Sequence, residues 1–111
     1  MKYVDGFVLA VPEKNLPDYL RMARTAGKVW RDYGALDYKE CVGDDLQVPM
    51  GIPFPRRMKI RSGETVVFSY IVFKSRAHRD RVNAKVMRDP RLAAACDPAH
   101  VPFALKRMSY G

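Results

Sequence analysis

The sequence TVVFSYIVF, residues Thr65–Phe73, is apolar at almost every position and rich in β-branched and aromatic side chains. This composition on both faces is typical of a central strand that is covered on each side. The uncharged apolar run Val66–Phe73 is eight residues long, whereas a membrane-spanning helix needs about 20. We therefore predict a doubly buried strand at 65–73 and no membrane-spanning segment.

The segments before this strand carry strand and helix patterns in turn. Residues 2–11, KYVDGFVLAV, predict a first strand. Asn15 is expected to cap a long amphipathic helix that continues to Tyr33, and Gly34 is expected to adopt the left-handed conformation common at helix ends. Residues 36–42 alternate between apolar and polar side chains and predict a second strand.

A long connection and two further elements complete the chain. Residues 44–64 have no sustained period, which is typical of a loop, and Met58–Arg61 is expected to form an additional edge strand with a basic side. Ser75 is expected to cap a second helix that reaches about Asp89. Residues 105–110, LKRMSY, predict a fourth strand.

The order strand, helix, strand, strand, helix, strand is that of the α+β, ferredoxin-like split βαβ fold, in which two helices cover one face of an antiparallel sheet. A chain of 111 residues fits one such domain, residues 1–111. No further helix is left to cover the other face of the strand at 65–73. We therefore predict a homodimer with its sheets face to face, a dimeric α+β barrel.

The net charge of +8 is confined to two segments. Residues 74–91 hold seven Lys and Arg against two Asp, and residues 56–61 hold four with no acidic residue. Such a surface suits phosphate groups, although a merely solvated helix face has the same composition, and no aromatic side chain between 74 and 91 offers a platform for base stacking. The RNA-binding alternative assigns this role to Arg56, Arg57, Lys59, Arg61, Arg76, Arg81, Lys85 and Arg88.

The inward face of the second predicted helix contains polar side chains. Val82 and Val86 define that face at helical spacing, and His78, Arg79 and Asn83 lie within or beside the same arc. These three residues predict a ligand site between helix and sheet, with Arg79 clamping an anion, His78 acting as acid or base and Asn83 orienting the ligand. The alternative is that Arg79 pairs with a carboxylate of the sheet or loop and the other two are satisfied locally.

The remaining reactive residues predict neither a metal site nor a disulfide. Cys41 and Cys96 are too few for a disulfide framework and lack CxxC spacing, so we expect free thiols in a reducing cytoplasm. His78 and His100 do not have the spacing of metal ligands. No signal-peptide pattern opens the chain. We expect a cytoplasmic protein with no metal and no cofactor.

Four segments closely resemble, in order, those of the YbaA-like family of bacterial proteins of unknown function: KYVDGFVLAVP, AGKVWRDYGALDYKECVGDD, ETVVFSYIVFKSRAHRDRVNAKVMRDPR and PFALKRMSYG. This chain departs from the family pattern at Ala104 and Leu105, where Asp and Gly are expected. The resemblance implies ferredoxin-like protomers of the dimeric α+β barrel group. That group includes cofactor-free monooxygenases, isomerases, haem enzymes and plain ligand binders, so the resemblance implies a fold rather than a function.

Three functions follow as hypotheses. The first is a cytoplasmic homodimer that binds a small polar or anionic organic molecule between the sheet and the second helix. Any catalysis there would be metal-free acid–base or oxygen chemistry, with catalytic residues unassigned beyond His78 as acid or base. The second is an RNA-binding dimer, and the third is an interaction protein without a ligand. Charge reversal at Arg57 and Arg81 separates the first two, because it disrupts RNA binding and leaves an internal pocket intact.

Overall fold

Four strands form one antiparallel sheet in the computed structural model, which describes residues 1–111. The strands are β1 (Tyr3–Pro12), β2 (Asp37–Val42), β3 (Glu64–Phe73) and β4 (Ser109–Tyr110), in the spatial order β2-β3-β1-β4. The helices are α1 (Leu16–Asp32), α2 (Phe54–Arg57), α3 (Arg76–Val86) and α4 (Pro90–Ala95), and 3-10 turns lie at Glu13–Asn15 and Leu105–Arg107. This arrangement confirms the predicted α+β, ferredoxin-like topology.

Strand β3 lies in the centre of the sheet, as its composition predicts. It pairs with β1 from Tyr3↔Phe73 to Pro12↔Glu64, so all ten residues of each strand take part. Its other edge pairs with β2 from Asp37↔Val72 to Val42↔Val67. Because side chains alternate along a strand, this register assigns each residue of the sheet to the face covered by helices or to the opposite face.

The helix-covered face holds most of the core. From α1, Tyr19 and Val29 are buried, and from α3, Val82 and Val86 are buried against β3. Burying an aliphatic side chain of this size contributes about 1.5–3 kcal/mol. Both predicted helices are therefore confirmed, although the second ends at Val86 instead of near Asp89, and α4 extends the same layer by packing beside α1.

The opposite face of the sheet is only partly covered by the rest of the chain. Val66 is buried there, but Phe68 is 39% exposed. Helix α2 lies on this face, since the ring of Phe54 stacks on that of Phe68 with centroids 6.1 Å apart and planes 27° apart. Strand β3 is therefore buried on its helix-covered face, as predicted, but only partly buried on the opposite face.

Two predicted strand segments are wrong or too long. Residues 58–61 form no edge strand, because α2 ends at Arg57 and Lys59 has a left-handed φ of 52° that breaks an extended path. The fourth strand covers only Ser109–Tyr110. Its predicted first half is a 3-10 turn in which the carbonyl of Ala104 accepts from the amide of Arg107 at 3.0 Å, so this backbone bonds locally instead of to β1.

The predicted helix ends have different outcomes. Gly34 follows α1 with φ of 108°, and the Ser75 hydroxyl accepts from the His78 amide at 3.1 Å, so both predictions are confirmed. Asn15 does not cap α1 with its side chain. Its Nδ2 instead donates to the Pro102 carbonyl at 3.2 Å, which fastens a distant segment to the start of the helix. No helix in the structure combines the length and the apolar character needed to cross a bilayer.

Candidate functional site

A cavity of about 500 Å³ lies between the helix-covered face of the sheet, helices α1 and α4, and the segment from Cys96 to Met108, which we call the α4–β4 segment. Of its 19 lining residues, 16 are hydrophobic, and Glu40 is the only one with a charged side chain. The lining comprises Phe7, Leu9, Tyr19, Met22, Ala26, Trp30, Tyr38, Glu40, Ser69, Ile71, Met87, Leu92, Ala93, Cys96, Pro98, Val101, Phe103, Leu105 and Met108. Such a largely apolar space with one polar anchor has the character of a small-molecule site.

Two phenol groups hold the Glu40 carboxylate in place. Tyr19 donates from its hydroxyl to Oε2 at 2.7 Å, and Tyr38 donates to Oε1 at 2.9 Å. Each carboxylate oxygen therefore accepts one phenolic hydrogen bond, and each keeps further acceptor capacity. Because the two tyrosines come from α1 and β2, the carboxylate is fixed by two separate elements.

The site shifts the acid–base properties of all three groups. Burial raises the pKa of Glu40, and the hydroxyls of Tyr19, Tyr38 and Ser69 partly oppose that increase by stabilising the anion. Burial, with the nearby Glu40 charge, raises the pKa of both tyrosines well above 10. The phenols therefore remain protonated donors throughout the ordinary pH range, while Glu40 is the group that titrates.

Local structure explains why these side chains meet. Glu40 and Tyr38 are two residues apart on β2, so both face the helices, and Glu40 lies opposite Ser69 in the register with β3. Tyr19 lies on the buried face of α1. Gly27 of the same helix leaves room for the Tyr38 ring, because a Cβ there would lie 2.8 Å from Tyr38 Cδ1.

Trp30 forms another wall of the cavity, and a hydrogen bond to α3 fixes its indole. Its indole Nε1 donates to the Asn83 Oδ1 of α3 at 2.9 Å, and its ring centroid lies 6.1 Å from that of Tyr38. Three side-chain donors around the cavity, the hydroxyls of Tyr19 and Tyr38 and this indole, are thus already engaged within the protein.

The α4–β4 segment forms a further wall of the cavity. Phe103 packs edge-on against Tyr19, with centroids 5.7 Å apart, and Pro102 receives the hydrogen bond from Asn15. Cys96 also lines this wall, and burial raises its pKa. Cys96 and the exposed Cys41 are both free thiols.

The three residues singled out on α3 are close together in the chain but do not line this cavity. His78 Nδ1 accepts from the Lys74 amide at 2.9 Å, and Asn83 bonds to Trp30. The guanidinium of Arg79 donates to Asp5 Oδ1 at 2.8 Å and lies 5.0 Å from the centre of the Tyr3 ring. Direct ligand binding by His78, Arg79 and Asn83 stays a prediction.

The eight basic residues of the RNA alternative are all exposed, and none forms an ion pair with a carboxylate. They do not form one continuous patch. The four on or just after α3, namely Arg76, Arg81, Lys85 and Arg88, belong to the helix layer. Arg56, Arg57, Lys59 and Arg61 belong to the α2 region, which lies on the opposite face of the sheet.

Sequence reasoning missed Glu40 and its two tyrosines. A signal was present, because the strand pattern at 36–42 places Tyr38 and Glu40 on one face with Val42, and a carboxylate on an inward face needs partners. The partner Tyr19 comes from a helix 21 residues earlier in the chain. No cluster of three or more His, Cys, Asp or Glu side chains with metal-binding proximity is present.

Comparison with known proteins agrees with this architecture. A protein of the NIPSNAP family with unknown function from Agrobacterium tumefaciens has a similar structure, with a TM-score of 0.58, 14% identity, and coverage of 99% of this chain and 84% of that one. The chain is thus a ferredoxin-like α+β protein in fold.

Sequence comparison gives the family. Residues 2–105 match the family described as "Protein of unknown function (DUF1428)". Over all 111 residues the chain is 40% identical to the uncharacterized protein YbaA of Escherichia coli K12, covering 93% of its length, and equally to YbaA of Shigella flexneri. The chain belongs to the DUF1428, YbaA-like family.

Proposed function

We propose that this protein binds a small, largely apolar organic molecule in the cavity, with Glu40 as its polar contact. The observation that supports this most is the placement of one carboxylate, held by two phenols, in a cavity of otherwise hydrophobic character. A carboxylate in largely apolar surroundings without a cationic partner costs free energy. Its presence in the lining of a preformed cavity is the pattern expected of a ligand site.

The same geometry suits proton transfer. Because burial raises the pKa of Glu40, its carboxyl binds a proton more readily than that of an exposed glutamate, which suits a general acid or base. The flanking tyrosines fix its position without themselves titrating. Should the bound molecule react, Glu40 is therefore the acid or base that we assign, in place of His78.

Ligand binding is tested with Nile red, a neutral apolar dye whose emission rises in apolar surroundings. Ala93 and its neighbour Ala94 on α4 are both exposed, but only Ala93 lines the cavity. We expect Ala93→Phe to weaken dye binding at least tenfold and Ala94→Phe to leave it unchanged. Trp30, the sole tryptophan, lines the cavity and reports occupancy through its own emission.

Equal dye binding by Ala93→Phe, Ala94→Phe and the unmodified protein would refute the cavity as the site. The dye would then be bound elsewhere, for instance on the exposed part of the sheet around Phe68. Thermal unfolding of each variant establishes that the fold is retained before the affinities are compared.

We also infer that the protein is a homodimer whose sheets meet through the face opposite the helices. The support is the partial exposure of Phe68 and of Val4 on that face, at 39% and 48%. Light scattering during size-exclusion chromatography tests it, with Phe68→Glu expected to yield monomers. Val42→Glu is the matched control, because Val42 is equally exposed at 39% but pairs with Val67 on the helix-covered face of the sheet. A monomer for the unmodified protein would contradict the inference.

RNA binding is the second candidate function. Its support is the set of eight exposed basic side chains without carboxylate partners, although they are divided between two faces. We expect Arg81→Glu and Arg57→Glu each to reduce affinity for a 20-nucleotide RNA, with a steep salt dependence in the unmodified protein. Binding that is absent at low salt, or unaffected by both variants, would exclude this function.

A further inference from the structure

We propose that the ligand of this cavity is a hydrophobic cation, an amine carried as its ammonium ion on an aromatic or aliphatic body. This inference rests on the proposed ligand-binding function of the cavity and adds the charge of the ligand. Three features of the cavity carry it: the single carboxylate, the engaged donors and the aromatic walls.

The charge balance of the cavity is the first feature. Glu40 is the only charged side chain in the lining, and no Lys, Arg or His lines the cavity with it. A carboxylate in such surroundings lacks the counter-charge that buried ions require. An ammonium group entering the cavity supplies this counter-charge, whereas a carboxylate or phosphate would meet a like charge.

The hydrogen-bond inventory is the second feature. The hydroxyls of Tyr19 and Tyr38 donate to Glu40, and the Trp30 indole donates to Asn83. These donors are therefore not free for an anionic ligand. The carboxylate offers about four acceptor positions, of which the two tyrosines and the Ser69 hydroxyl occupy three at most, so an acceptor for an N–H donor remains.

The aromatic walls are the third feature. Phe7, Tyr19, Trp30, Tyr38 and Phe103 all line the cavity. A cation within about 6 Å of an aromatic ring centre is attracted to the ring face, and Trp and Tyr rings are the strongest partners. Trp30 and Tyr38 lie side by side with centroids 6.1 Å apart, next to the carboxylate that Tyr38 contacts.

The basic surface does not oppose this ligand strongly. The eight basic side chains of the RNA alternative are exposed to solvent. At physiological salt, interactions between exposed charges are screened over about 8 Å. The +8 net charge of the chain therefore does not exclude a cationic ligand.

The test uses three probes of closely similar size that differ in charge: 2-phenylethylamine, 2-phenylethanol and 3-phenylpropanoate. Each is titrated against Nile red bound to the full-length protein at pH 7.5 and physiological salt. We expect the amine to displace the dye at a concentration at least tenfold lower than the alcohol, and the propanoate to be the weakest. Glu40→Gln should abolish this preference for the amine.

Asp37→Asn is the matched control, because Asp37 is a carboxylate on the same strand that lies outside the cavity. It should retain the tenfold preference. Equal displacement by amine and alcohol would overturn the cationic ligand and leave cavity binding intact, and so would displacement by none of the three while the dye still responds to Ala93→Phe. Strongest displacement by the propanoate would reverse the assigned charge. Dye binding insensitive to Ala93→Phe would refute both proposals.

Discussion

Gly27 of α1 faces the ring of Tyr38 so closely that a Cβ at position 27 would lie 2.8 Å from Tyr38 Cδ1 and 3.1 Å from Cε1. Real Cβ atoms essentially never approach a neighbour this closely, so any side chain here displaces the ring. The ring cannot yield as the end of a flexible chain would, because the Tyr38 hydroxyl is bonded to Glu40. The glycine is therefore part of the site although it does not line the cavity.

Gly27→Ala is expected to destabilise the protein by about 1–3 kcal/mol through overpacking. The sign is informative, because glycine to alanine inside a helix ordinarily stabilises by up to about 1 kcal/mol. Urea unfolding measures the change. Lys28→Ala, at the exposed neighbouring position, should alter stability by less than about 0.5 kcal/mol. A stabilised Gly27→Ala protein would show that the ring has room to move.

Arg79→Met is expected to lower the unfolding temperature by at least about 5 °C, because it leaves the buried Asp5 carboxylate without its cation. The double variant Asp5→Leu with Arg79→Met should recover much of the loss. Arg81→Met, at an exposed position of the same helix, is the control. If Arg79→Met keeps its stability but the protein no longer retains an anionic molecule, Arg79 serves as the anion clamp instead.

The pH dependence of stability should carry a distinct contribution from Glu40. Its pKa in the folded state is raised by burial, so between the ordinary value of 4.5 and that higher value the folded protein binds more protons than the unfolded chain. Stability from this group therefore falls as the pH rises through the folded pKa. Urea unfolding from pH 4 to 8 should show a flatter profile for Glu40→Gln than for the unmodified protein. Parallel profiles would contradict a raised pKa.

Glu64 should contribute in the opposite direction. Its hydrogen bonds with Arg107, one of them 2.9 Å long, lower its pKa to about 2. The stabilisation is fully present above 4.5 and is lost as the pH falls towards 2, because the carboxylate must then be protonated. Glu64→Gln should therefore reduce stability at pH 7 and leave it almost unchanged at pH 2. A constant difference at both pH values would show that the ion pair does not control the effect.

Asn83→Leu is expected to change the environment of Trp30 rather than the core of α3. Without the Asn83 carbonyl the indole N–H loses its partner, at a cost of about 1–3 kcal/mol if it stays buried. We expect a shifted emission maximum and weaker Nile red binding. Lys85→Leu, at an exposed position on the same helix, should change neither. Unaltered emission in Asn83→Leu would indicate that packing alone holds the indole.

Much of the fold could be predicted from the chain, because periodicity and helix-end residues act locally. The apolar run at 65–73, Gly34 after α1 and Ser75 before α3 all behave as their local chemistry predicts. Asn15 does not, because the Pro102 carbonyl, 87 residues away, uses the side chain that the helix end was expected to use. The fourth strand is short for a related reason, since the 3-10 turn before it bonds to itself.

The site was harder to predict than the fold. Polar residues on the inward side of α3 were identifiable by helical spacing, and their partners Asp5 and Trp30 became evident only in three dimensions. Glu40 was identifiable by the same logic on a strand. The role of Glu40 as the polar contact of a cavity depends on Tyr19 and on lining residues from many elements of the fold. No local sequence pattern predicts that these residues meet.

The walls of the cavity come from both ends of the chain, from Phe7 on β1 to Met108 just before β4. Contacts between residues so far apart in sequence form late in folding, because the loop between them must close first. During synthesis, which proceeds from the amino terminus, α1, β2 and β3 are available long before residues 96–108. A ligand therefore cannot assist the early folding of this chain. Its binding requires that residues 96–108 have already folded against the rest of the cavity.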